Sequence, residues 1–179
     1  VGVIFPQASV TGGTFPLNFV DISDDGVIFA GNMTLDVSTS SFKLYRWNSE
    51  LDSAKAVIDY TNSSLAGCRL GDIISVFGKA SDNSLAVYAA ASGKDKIVKF
   101  TTSDNGNTFT AQVITVSTGP MGSLPSVALA TDGSLYVKSY GRLLDRYSAA
   151  GALIDSVSSS VIGTDVTGVK DVERLGNKY

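Results

Sequence analysis

The stretch Val127-Ala128-Leu129-Ala130-Thr131-Asp132-Gly133-Ser134-Leu135-Tyr136-Val137 decides the fold. Two short apolar runs flank a polar Thr-Asp-Gly-Ser turn. Asp-Gly tolerates the positive φ that a tight hairpin turn demands, and β-branched and aromatic residues suit a pleated surface, so the stretch reads as a β-hairpin. The same pattern occurs upstream as Val20-Asp21-Ile22-Ser23-Asp24-Asp25-Gly26-Val27-Ile28-Phe29. It occurs again, with a longer turn, from Val76-Phe77-Gly78-Lys79 through Asp82-Asn83-Ser84 to Leu85-Ala86-Val87-Tyr88. A segment that recurs in this way must be read as a repeat before any single element is assigned.

A second signal follows each hairpin in the same order. Leu44-Tyr45-Arg46-Trp47, Ile97-Val98-Lys99-Phe100 and Leu144-Asp145-Arg146-Tyr147 share a basic residue followed by an aromatic one. A closing apolar run then appears in Ala56-Val57-Ile58-Asp59-Tyr60, Gln112-Val113-Ile114-Thr115-Val116 and Leu153-Ile154-Asp155-Ser156-Val157. Each unit therefore holds four strands. The turn residues Asp25, Asn83 and Asp132 lie 58 and 49 residues apart, and the aromatic positions Trp47, Phe100 and Tyr147 lie 53 and 47 apart. These spacings are close to the period of about 40–50 residues in four-stranded propeller blades. The sequence predicts an all-β chain, a β-propeller-type repeat of four-stranded antiparallel blades at residues 17–60, 70–116 and 124–157.

The ends carry fragments of the same pattern. Residues 166–179 read as the inner hairpin of a fourth unit, and residues 1–5 as a closing strand or the outer strand of a preceding unit. A chain that begins and ends inside units is expected to be an excerpt of a longer propeller, to pair its terminal pieces, or to self-associate.

Composition narrows the chemistry. The 179 residues contain no histidine and one cysteine, Cys68. No Ser-His-Asp or Cys-His system, no histidine-ligated zinc and no disulfide within the chain are then available. Cys68, between Gly67 and Arg69, reads as a small buried or semi-buried filler rather than a reactive thiol. The net charge is −3, with 14 basic and 17 acidic residues scattered along the chain, and no basic stripe exists to neutralise phosphates. Nucleic acid is therefore not an expected partner. The apolar runs fall far short of the roughly 20 residues that span a bilayer. Neither a charged leader nor its apolar segment is present, so any signal peptide is expected to have been removed or to lie outside these residues.

Thr102-Ser103-Asp104-Asn105-Gly106-Asn107-Thr108-Phe109 matches the Asp-box pattern and resembles the hairpin of sialidases, sortilin-type receptors and other propellers. Thr102, Asp104, Gly106, Thr108 and Phe109 are its signature positions. The resemblance implies a folding device between the third and fourth strands of a blade, with no catalytic role. A wider likeness runs through Gly12-Gly13-Thr14-Phe15-Pro16-Leu17-Asn18, the first hairpin, and Phe42-Lys43-Leu44-Tyr45-Arg46-Trp47. These segments resemble an uncharacterised family of exported propeller-like proteins of gut Bacteroidetes that are similar to lipoproteins accompanying glycan uptake. That resemblance implies a periplasmic, cell-surface or secreted location, and supplies no functional residues.

Other patterns have plainer readings. Asp21-Ile22-Ser23-Asp24-Asp25-Gly26 places oxygens at alternate positions before a glycine, yet Asn32 stands where a calcium loop needs its bidentate acid. Gly71-Asp72-Ile73-Ile74-Ser75-Val76-Phe77-Gly78-Lys79-Ala80 departs from a P-loop in glycine spacing, and Ala80 stands in the hydroxyl position. No metal, no cofactor and no catalytic residue are assigned.

A propeller topology places the loops joining strands two and three, and those joining successive units, at one end of the blades. The candidate ligand face there comprises Asn32, Asp36, Arg69, Lys94, Asp95, Tyr140 and Arg142, groups suited to polar or stacking contact with a sugar or a protein partner. The expected function is a non-catalytic extracytoplasmic binding or scaffold module for a glycan or protein ligand. The alternative is a fragment of a propeller-type sialidase, glycoside hydrolase or lyase, which requires opposed carboxylates such as two of Asp36, Asp72, Asp95 and Asp165, or a tyrosine nucleophile with an arginine cluster gripping a carboxylate.

Overall fold

The structure is a computed structural model and describes residues 9–11 and 15–157. The described chain contains twelve strands: β1 (Phe15–Ile22), β2 (Ile28–Met33), β3 (Phe42–Trp47), β4 (Lys55–Tyr60), β5 (Ile74–Phe77), β6 (Ala86–Ala90), β7 (Lys96–Thr101), β8 (Thr110–Thr115), β9 (Ser126–Leu129), β10 (Leu135–Lys138), β11 (Leu144–Tyr147) and β12 (Leu153–Val157). One 3-10 turn, Ser63–Leu65, interrupts them. They form three four-stranded antiparallel sheets, each built from four consecutive strands in chain order, and none of the sheets closes on itself. The all-β, four-stranded repeat expected from the sequence is present. The terminal pieces at residues 1–5 and 166–179, and Asp165, lie outside the described residues.

Strand register places the repeated aromatic of each unit in a row of three cross-strand partners. Ile22, Ile28 and Trp47 are cross-strand partners on the first sheet. Val76, Val87 and Phe100 hold the same relation on the second, and Leu129, Leu135 and Tyr147 on the third. The repeated basic-aromatic pair is thus a structural position as well as a sequence one. Because side chains alternate across a strand, the basic residue and the aromatic one point to opposite faces.

The sheets pack face against face through two apolar layers. Phe29, Phe42 and Leu44 of the first sheet meet Ile74, Val87, Val98 and Phe100 of the second. The rings of Phe42 and Phe100 stack with centroids 5.6 Å apart, and Tyr60 meets Phe100 edge-on at 5.3 Å. Ala86, Tyr88 and Ile97 then face Val127, Leu135, Val137 and Tyr147 of the third sheet. Burial of Tyr88 pushes its phenol up to about 12. The first strands lie side by side, β1 next to β5 and β5 next to β9.

Polar clasps join neighbouring units at the turn end. The Asp25 carboxylate in the β1–β2 turn accepts the backbone N–H groups of Ala80 and Ser81 and the Ser23 hydroxyl. Partial burial pushes this carboxyl up, but the hydrogen bonds outweigh it and hold Asp25 well below the usual carboxylate range. Asp21 accepts the Val76 N–H at 2.7 Å, and Arg46 donates to the Asn105 carbonyl at 2.6 Å.

Candidate functional site

At the opposite end of the sheets, loops from all three units meet. The β2–β3 loop folds on its own carboxylate, since Asp36 accepts the Ser38 N–H at 2.9 Å and the Ser38 hydroxyl at 2.7 Å. These Ser38 bonds hold Asp36 below its ordinary value, against slight desolvation, with the nearby Lys94 charge assisting. The connector between β4 and β5 crosses beside that loop, where Val37 N–H donates to the Cys68 carbonyl. Cys68 is buried, and burial pushes its thiol up, as expected of a filler rather than a nucleophile. The Lys94 ammonium lies over Gly67 of this connector, 3.4 Å from where a Cβ would stand.

The centre of this end is a charged clasp. Arg69 grips Asp72 with Nε to Oδ2 at 2.8 Å and Nη2 to Oδ1 at 2.6 Å, and the Ser92 hydroxyl also donates to Asp72. Ser92 in turn accepts the Leu124 N–H at 3.1 Å. One buried carboxylate thereby ties together the two connectors and the β6–β7 loop. A bidentate Arg-carboxylate pair is strong because both N–H bonds are charge-assisted.

The β10–β11 loop completes the end. Tyr140 projects outward with 52% of its surface exposed, while its N–H donates to the Ser123 carbonyl. Gly122 makes this approach feasible. A Cβ there would stand 1.8 Å from the Tyr140 carbonyl oxygen, so any side chain would displace the loop. Beneath the loop Lys138 is fully buried and donates to the carbonyls of Ser139 and Arg142, each at 2.7 Å. Desolvation lowers its pKa, and the Asp145 charge opposes that shift. Asp145, also buried, accepts from Tyr147 and Ser156 and lies 3.9 Å from the Arg142 guanidinium.

The sequence-derived candidates divide accordingly. Asp36, Lys94, Asp95, Tyr140 and Arg142 lie on loops of this end, and Arg69 lies on the connector within it. Asp95 pairs with Lys96 at 3.2 Å. Asn32 differs from the rest, because β2 extends through it and its side chain has no exposed surface. Its amide donates to the Ser41 carbonyl at 3.0 Å and its oxygen accepts the Lys43 N–H at 2.7 Å, so it ties down the loop from within. Sequence reasoning missed Lys138, whose place at the end of an apolar strand gives no sign that its amine caps loop carbonyls. It also missed the pairing of Arg69 with Asp72, although their spacing of three residues was legible. Among the described residues no group of three or more His, Cys, Asp or Glu side chains is gathered as a metal site requires.

The turn at residues 102–109 lies at the other end, between β7 and β8. Asp104 accepts the N–H groups of Asn107 and Thr108 at 3.0 and 2.8 Å and the Thr108 hydroxyl at 2.7 Å. The Thr102 hydroxyl donates to Asp104 and accepts the Gly106 N–H. Gly106 takes φ +75°, and Phe109 packs edge-on against Phe29 of the first sheet. Its aromatic ring thus pins the turn across a unit boundary.

The chain is similar in fold to a DUF4623 family protein from Bacteroides eggerthii. The TM-score is 0.70 at 13% sequence identity, over 87% of this chain and 36% of that one. The likeness is one of fold, and this chain spans about a third of the neighbour's length. No protein-family model matches the chain, and no curated protein matches it.

Proposed function

We propose that the chain is a segment of a β-propeller-type protein that serves as a non-catalytic binding or scaffold module outside the cytoplasm, taking a glycan or a protein ligand at the Arg69-Tyr140 end of its sheets. The observation that carries this reading is the convergence of loops from all three units on one end. There an exposed tyrosine ring stands among charged groups held by internal bonds. Aromatic rings supply stacking surface for sugars, and polar groups fixed in place lose little entropy on binding. The consecutive order of the sheets and the lateral adjacency of β1, β5 and β9 support the propeller reading. The turn at residues 102–109, with its Asp-centred bonds, supports the Asp-box reading.

The extracytoplasmic location rests on the resemblance to exported Bacteroidetes proteins. A catalytic role is disfavoured because Asp72, one of two buried acids of this end, faces Arg69 and Ser92 instead of a second carboxylate. The test is a glycan array probed with the chain and with its Tyr140→Ala and Lys94→Ala variants. Binding of a defined glycan class that falls about tenfold or more in either variant is expected, as loss of a central contact costs 1–2 kcal/mol or more. Binding unchanged in both variants would remove the site from this end.

A further inference from the structure

The register alignment of the three units exposes one mismatch in burial. Ile74 and Ala89 of the second unit, and Val127 and Val137 of the third, occupy the positions of Val20 and Ala30 in the first. Ile74 is 1% exposed and Val127 2%, both packed against the preceding sheet, whereas Val20 is 59% exposed. Ile22 is 55% exposed where its counterpart Val76 is 6% exposed. The repeated aromatic follows the same rule. Phe100 faces the first sheet and Tyr147 the second, so Trp47 points to the side on which no described sheet lies.

That side is shaped to be covered. A cavity of about 340 Å³ opens on it, with Leu17, Val20, Ile28, Ala30 and Trp47 in its lining. Val10 packs on the outer margin and Thr11 bonds to the Tyr45 hydroxyl, which leaves the inner margin at Val20 and Ile22 open. Apolar side chains exposed together, at positions buried or partly buried where the repeat has a neighbour, mark an interface.

We infer that this face receives a further four-stranded unit of the same repeat, packed ahead of β1 and presenting a small-and-aromatic surface like that of Phe77, Ala86 and Tyr88. Continuity with the two existing interfaces identifies the occupant, because each receiving face meets the following-side face of the unit before it. A second copy of this chain fits less well. The corresponding face of its third sheet carries Ser126, Ala128 and Lys138, which are already buried. The inference rests on the repeat register and not on the ligand reading, so an uncovered face would leave the glycan-array result standing.

Cysteine accessibility tests it. On a Cys68→Ser background, Val20→Cys and Ile22→Cys are each compared with Leu51→Cys, a control whose native side chain is 72% exposed. Maleimide labelling is followed in the 179-residue chain and in the longest natural protein that carries it. In the longer protein the two β1 thiols are expected to react about tenfold or more slowly than the control, as groups protected by packed structure do. In the 179-residue chain they are expected to react as fast as the control. Equal rates in the longer protein overturn the inference. Protection in the 179-residue chain also overturns it: a second copy is the occupant if protection rises with concentration, and the chain itself if it does not.

Discussion

Asp104 and Asp132 show how single residues hold this molecule's turns. Bonds from the Thr108 backbone and hydroxyl hold the Asp104 carboxyl at about 2, against an ordinary value of 3.8. The Ser134 hydroxyl and backbone, with Arg146 assisting, bring Asp132 to about 2 as well. A carboxyl depressed in the folded state contributes stability that is complete above its unfolded pKa and is lost as pH falls through the folded one. Urea unfolding midpoints are therefore expected to fall between about pH 4 and pH 2, and the Asp104→Asn, Asp132→Asn double variant to show a flatter decline. An equally steep decline in that variant would assign acid sensitivity to other groups. Much of the turn chemistry was legible, since Asp-Gly and Asp-Asn-Gly name their own conformations. Asn32 was not, because a polar residue following a glycine reads as a loop until the ladder is seen to run through it.

At the scale of the element, alternation identified the strands because each sheet buries both faces unevenly. Lys43, Lys99 and Arg146 keep partial exposure while the residues beside them are buried. Boundaries were less legible. The first sheet begins at Phe15, ahead of the expected start, and an irregularity between Phe15 and Phe19 in its ladder has no sequence marker. The pairing of β3 with β4 shifts between Leu44 and Tyr45, which carries β4 back to Lys55. Phe100 is the element-scale keystone, because it touches both Phe42 and Tyr60 across the unit boundary. Phe100→Ala is expected to cost about 3–5 kcal/mol by removing a buried ring and leaving a cavity. Val113→Ala, on the exposed margin of β8, is expected to stay within about 0.5 kcal/mol of the parent. Chemical denaturation of the two variants compares them directly, and equal losses would mean that the layer between the first two sheets is not the principal core.

At the largest scale, the three units among the described residues and their four-strand content followed from two ordered signals per repeat. How the units face one another did not. Which side of a strand meets the preceding unit depends on where the chain turns, and the basic-aromatic pair fixes it only once Phe100 and Tyr147 are seen facing backward. That directionality is what makes the open face at Val20 and Ile22 interpretable. It also explains Arg46, which reaches forward to the Asn105 carbonyl of the next unit, whereas Arg146 salt-bridges Asp132 in a turn of its own unit at 2.6 Å. Stacked units whose stability depends on neighbours are the general behaviour of repeat architectures.

The stacking order is the claim on which the rest depends, and aromatic nuclear Overhauser contacts in the isotope-labelled chain test it most directly. The Phe100 ring is expected to show cross-peaks to both Phe42 and Tyr60, and Phe109 to Phe29, since these ring centroids lie 5.3 to 6.4 Å apart. A spectrum in which Phe100 and Phe109 contact only residues of their own unit, 74–115, would contradict the account.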